Sequence, residues 1–286
     1  MSTLQTSNEG PPTTLRRAPA FTVGISMRIK SVSASFVAAA CGAMALSALA
    51  APAAHADERF GDTDITGVVV ADGDPVVLGT GPRTVTVEVT ATDPAGLQEI
   101  DATLYHGSFS AQDAAIASDA ACGPTAAATT TCTLTFTLAP GTAPADDALA
   151  GTWSVSAYAI AADGDASFLD SAASFDLRRE TLLTADATPE KVRWGRTVTV
   201  TGEVRHAGWA AGAPVAAAAG QEVRLQFRAK GGSAYRTVKT VTTAADGTVS
   251  ANVRAFQDGS YRWSYAGMSG TAAAVSPADC VDVRFP

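Results

Sequence analysis

The strongest constraint on this chain is alternation. Residues 84–92 read TVTVEVTAT, 131–138 read TCTLTFTL and 152–160 read TWSVSAYAI, with an apolar side chain at nearly every second position. Successive side chains of an extended backbone point to opposite faces, so each segment has one face to bury and one to leave in water. Alanine is abundant and suits helices, but its long runs are broken by Gly, Pro and Thr and carry no 3.6-residue period. The pattern therefore predicts an all-β fold. Gly, Asp and Pro turns punctuate the segments in the manner of a sandwich.

Two sets of strands follow. Residues 65–70, 84–92, 99–105, 131–138, 152–160 and 171–178 make a first set, and 182–187, 197–204, 222–228, 235–243, 248–256, 261–265 and 280–285 a second. They divide the chain into two sandwich domains, 57–179 and 180–286. Residues 178–181 are too few to act as a flexible spacer, so the domains are expected end to end with limited bending. The stretch 108–128 reads as a long loop with a helical turn at 111–116.

The segment ahead of them has a different character. Met27-Arg-Ile-Lys30 is a short basic head, residues 36–49 are apolar, and Ala54 and Ala56 close the run with small side chains. This is the three-part pattern of a cleaved secretory signal peptide over 27–56, and it predicts Asp57 as the first mature residue. Residues 1–26 are rich in Ser, Thr and Pro and precede a complete leader with its own Met, so they read as an extension from a start placed too far upstream.

Residues 1–56 hold four basic side chains and one acidic, leaving 16 basic and 27 acidic in the mature part, a net charge of −11. Such a surface repels phosphate backbones, and nucleic acid is not an expected partner. After the leader no apolar run approaches about 18 residues, so no membrane span is expected.

Of the three cysteines beyond the leader, Cys122 and Cys132 flank one loop in an exported chain and are read as a disulfide. Cys280 is left over and reads as a buried free thiol or as half of an intermolecular bridge. The catalytic signatures HExxH, GxSxG, Walker and paired CxxC are missing, and His106 and His206 read as surface turn residues. The chain is therefore expected not to be an enzyme and to need no cofactor, calcium apart. In a sandwich, the turns holding Asp62, Asp64, Asp93, Asp163 and Asp165 fall at one end, and calcium takes six to eight oxygens, so these five acids are candidate ligands. The same residues are also good turn formers. Trp209, in the alanine-rich stretch 206–220, is a candidate for ligand binding, able to stack on a sugar or anchor a protein, or else a plug for the end of the sandwich.

Tyr261, Trp263 and Tyr265 fall on one face of a strand after the turn Asp258-Gly-Ser, an arrangement that resembles the tyrosine corner of immunoglobulin-like domains. More widely, ATPEKVRWGRTVTVTGEV, DGSYRWSYAG and ADCVDVR, together with VTVEVTATDPAGLQEIDATLYHG upstream, resemble secreted actinobacterial proteins of uncharacterised function that carry tandem immunoglobulin-like domains. The resemblance implies two such sandwiches and an extracellular location. Those relatives usually carry an aromatic residue at the position of Cys280. The expected function is a secreted, non-catalytic binding or adhesion protein at or near the cell envelope, with an envelope polymer or an extracellular protein as partner. Two alternatives stand beside it: a calcium-stabilised extracellular module, and an enzyme inhibitor presenting the disulfide-tied segment 122–132.

Overall fold

The computed structural model describes residues 57–285. The expected extension and signal peptide, 1–56, lie outside the described residues. Among the described residues the regular elements are strands and two short 3-10 helices, in two sandwiches that follow one another along the chain.

The first sandwich holds β1 (Glu58–Phe60), β2 (Asp64–Val70), β3 (Val76–Leu78), β4 (Arg83–Thr92), β5 (Leu97–Ser108), β6 (Ala111–Ala117), β7 (Thr129–Leu138), β8 (Gly151–Ala161) and β9 (Ala166–Arg179). One sheet runs β1-β9-β8-β5-β6, with β3 added in parallel to β9, and the facing sheet runs β2-β4-β7. The alternation works as a packing code. In β4, Val85, Val87, Val89 and Ala91 are buried while Thr84, Thr86 and Glu88 face water. Between β2 and β3 the chain changes sheets through a 3-10 turn, Ala71–Gly73, in which Ala71 and Asp72 take left-handed backbone angles.

The second sandwich holds β10 (Thr181–Leu183), β11 (Asp186–Thr188), β12 (Lys191–Arg193), β13 (Thr197–Gly208), β14 (Ala213–Ala216), β15 (Glu222–Ala229), β16 (Arg236–Thr242), β17 (Thr248–Arg254), β18 (Gly259–Tyr265), β19 (Ala274–Val275) and β20 (Asp279–Arg284). Strand β13 is the axis of one sheet, paired with β10, β11, β14 and β17; the other runs β12-β20-β18-β15-β16. Here too the entering segment changes sheets: β10 and β11 lie antiparallel to β13, and β12 then pairs in parallel with β20.

Several local expectations are corrected. Residues 111–117 form β6, an edge strand against β5, rather than part of a loop with a helical turn; its pairing with residues 103–108 supplies the backbone bonds a helical turn would otherwise have made. The Tyr261 ring packs into the core 4.8 Å from Phe227, and on this strand it is the Tyr265 hydroxyl that reaches a partner, Thr271 Oγ1, at 2.8 Å. Cys280 is exposed, not buried: Val281 and Val283 take the inward positions of β20, which puts Cys280 on the outward face beside Ser260.

Cys122 and Cys132 are bonded, with Cα atoms 6.1 Å apart. Cys122 exchanges backbone bonds with Ile100 of β5, and Cys132 lies in β7, so the bridge ties the two sheets together as well as closing the loop between β6 and β7.

Candidate functional site

Two places concentrate the chemistry of this chain. The first is the end of the first sandwich where β4 and β8 finish and β2 and β9 begin. Asp93 follows β4 and is almost wholly buried. Its Oδ1 accepts from the Ala95 amide at 2.7 Å and its Oδ2 from the Thr63 hydroxyl at 2.6 Å. Asp165, in the turn before β9, accepts from the Asp62 amide at 3.1 Å. This contact needs glycine at position 61, where φ is +70° and a Cβ would fall 1.6 Å from an Asp165 oxygen.

Asp62, Asp93 and Asp165 thereby each bring a carboxylate oxygen to within 4.8 Å of the others. Desolvation, then the carboxylates of Asp93, Asp165 and Asp163, raise the Asp62 carboxyl above its ordinary value. Clustered anions of this kind are relieved by a proton or by a hard cation, and three carboxylates can offer up to about six oxygens. Of the five acids expected at this end, the structure gathers three. Asp64 turns to Arg59, 3.3 Å away, and Asp163 accepts from the Asp165 amide at 3.2 Å, shaping the turn.

The second place is the joint between the sandwiches, where Trp209 corrects the expectation of a ligand-stacking residue. It is 1% exposed and belongs to the hydrophobic core of the first sandwich, with Leu78, Phe136, Leu138 and Leu177 in the same cluster. Its amide donates to Asp147 Oδ1 at 2.6 Å, and its indole Nε1 donates to the Leu78 carbonyl at 3.3 Å. The plug reading holds, but the domain being plugged is the neighbour. Arg179 completes the joint by donating from Nε to the Ala207 carbonyl at 2.6 Å and pairing with Asp147 at 2.9 Å.

His206, expected on the surface, is buried at this joint, with Nδ1 3.0 Å from the Thr181 hydroxyl and Nε2 3.1 Å from Gln221 Oε1. Burial lowers its pKa; the bond to Gln221 and the Asp147 carboxylate oppose that shift, and Arg179 adds to it. The signal for its burial was present in the sequence. Val198, Val200 and Val204 are the inward residues of β13, and His206 continues their parity. His106, by contrast, lies against Asp113 at 3.0 Å, near the surface.

No protein-family model matches the chain, and no curated protein matches it. Solved structures resemble it at low identity. The D00-D0 domain of Intimin is 14% identical, covering 75% of this chain and 98% of that one with a TM-score of 0.27. The D0-D1 domain of Intimin is 13% identical over 76% of this chain and 98% of that one, with a TM-score of 0.25. Dimeric latent PorU from Porphyromonas gingivalis is 14% identical over 78% of this chain but only 20% of that one, with a TM-score of 0.26. Among the described residues, no helix is long and apolar enough to cross a membrane.

Proposed function

We propose that this protein is a secreted, non-catalytic binding or adhesion module acting at or near the cell envelope, with an envelope polymer or another extracellular protein as its partner. The observation that carries the reading is the joint. Trp209 of the second sandwich is seated in the core of the first, and Arg179 and Asp147 lock the strands around it. A joint this buried makes one stiff body of two sandwiches, which suits a protein that holds its loops at a fixed separation. The Cys122–Cys132 disulfide agrees with an oxidising compartment. Cosedimentation with isolated wall and envelope fractions tests the reading. Saturable retention by one fraction supports it, and recovery in the supernatant with every fraction rejects it.

A second reading, that of a calcium-stabilised module, has its own observation in the convergence of Asp62, Asp93 and Asp165. Unfolding temperatures measured with calcium, with magnesium and with chelator separate it from the first.

A further inference from the structure

The two ends of the molecule farthest from the joint are opposite in charge, and both carry exposed aromatic rings. Strand β13 runs from Thr197 to the joint at Gly208, so the turn before it, Trp194-Gly-Arg196, lies at the free end of the second sandwich. Four exposed arginines gather there. Arg193 pairs with Arg284 in the strand ladder, Arg254 lies opposite Thr197, and the Arg196 carbonyl accepts from the Ala255 amide. Among the described residues none of the four forms an ion pair with a carboxylate. Between them stand exposed rings: Trp194 at 52%, Phe256 at 50% and Phe285 at 67%. Trp194 and Phe256 meet edge to face at 5.3 Å, and Trp194 and Phe285 line one shallow depression with Arg193, Arg196 and Arg284.

Strand β9 begins at the other end and finishes at the joint, which places its start, with Glu58, Asp62, Asp163 and Asp165, at the free end of the first sandwich. An exposed aromatic pair stands here as well, Phe60 with Phe168, centroids 6.5 Å apart. The whole domains follow the same polarity. Residues 57–179 hold 4 basic and 18 acidic side chains, a net −14, while 180–286 hold 12 and 9, a net +3.

We propose that the arginine-and-aromatic end of one molecule docks on the acid-and-aromatic end of a second copy of this chain, head to tail. Arginine is the cation suited to both halves of such a contact, since its planar fork pairs with carboxylates and stacks on aromatic rings. A second copy fits better than a bare polyanion because the exposed rings at one end find exposed rings at the other, and apolar surface of this kind is otherwise left in water. The two docking surfaces are different patches, so the contact is heterologous and continues into a linear array unless the rotation closes a ring.

Sedimentation velocity over a concentration series tests the proposal, with chelator present throughout so that no cation bridges two acidic ends. At an ionic strength of about 20 mM charges are felt over roughly 20 Å, and at about 300 mM over roughly 6 Å. The weight-average mass is expected to rise with concentration to about twice the monomer or more at low salt, and to fall back at high salt. The double variant Arg193→Glu/Arg284→Glu should be monomeric at low salt, and so should Glu58→Lys/Asp163→Lys. An equimolar mixture of the two variants should associate again, because each then carries two ends that match the other's. Unfolding temperatures check the fold of each variant, since Asp163 also accepts from the Asp165 amide; an acidic-end variant whose temperature falls is replaced by Glu58→Lys alone. A wild-type monomer at every concentration, association that survives reversal of either end, or failure of the mixture would each overturn the proposal. So would vesicles of anionic lipid capturing the arginine end of a protein that does not self-associate.

Discussion

The indole Nε1 of Trp209 donates to the backbone carbonyl of Leu78, joining residues that are 131 positions apart and belong to different sandwiches. Leu78 is itself buried, and its carbonyl also accepts from the Glu180 amide at 2.9 Å. Trp209→Ala therefore removes a large buried ring and one partner of that carbonyl together. The expected cost is about 3–5 kcal/mol. Scanning calorimetry should show it as the separation of one unfolding transition into two, because the tie that couples the sandwiches has been cut.

His206 gives the joint a pH dependence. Its folded-state pKa lies below its unfolded value of about 6.5, so the unfolded chain binds the proton more readily. The stability it contributes is complete above pH of about 6.5 and is lost as the pH falls from there toward the folded pKa. The unfolding temperature should drop between pH 7.5 and 5.5, and His206→Gln should flatten the profile over that interval.

Reduction of Cys122–Cys132 releases a link between the sheets across a separation of 10 residues. Chain-entropy arguments put the loss at about 2–3 kcal/mol. Denaturant melts of the Cys122→Ala/Cys132→Ala double variant should reproduce the midpoint of the reduced wild type. A midpoint equal to that of the oxidised protein would show that the bridge constrains nothing.

If the triad binds calcium, millimolar calcium should raise the unfolding temperature where magnesium does not, and Asp165→Asn should abolish the rise. The effect should weaken in acid, since protons compete for the Asp62 carboxyl, whose pKa is raised. Equal unfolding temperatures with calcium and with chelator would reject the calcium reading and leave the acids as turn formers.

Strands that alternate cleanly could be placed from the sequence to within a few residues, and β4, predicted over 84–92, spans Arg83–Thr92. Burial follows strand parity more closely than residue type. In the alternating run that begins at Cys280, Val281 and Val283 claim the inward face of β20, which leaves the thiol outside. His206, placed before Ala-Gly-Trp209, has the look of a turn residue, yet it shares the parity of Val204 and is buried with it. The acidic end was partly accessible, since turn positions can be inferred from strand order. Which acids meet was not, because that depends on Gly61 admitting the Asp165 carboxylate and on Arg59 drawing Asp64 aside. The role of Trp209 was hidden for a further reason. A residue's own domain does not reveal that its burial lies in another.

Glu180 is the sole residue between the end of β9 and the start of β10; on one side of it Arg179 donates to the Gly270 carbonyl and accepts from the Ala272 amide, and on the other Thr181 pairs with His206 of β13. Tension applied along the chain would therefore meet no slack at the boundary. Load entering one sandwich would pass through β9 into β10 while the Trp209 side chain resists tilting. The pair should bear a pull as a single mechanical element, lengthening abruptly when it yields, where a hinged tandem would first straighten under little force.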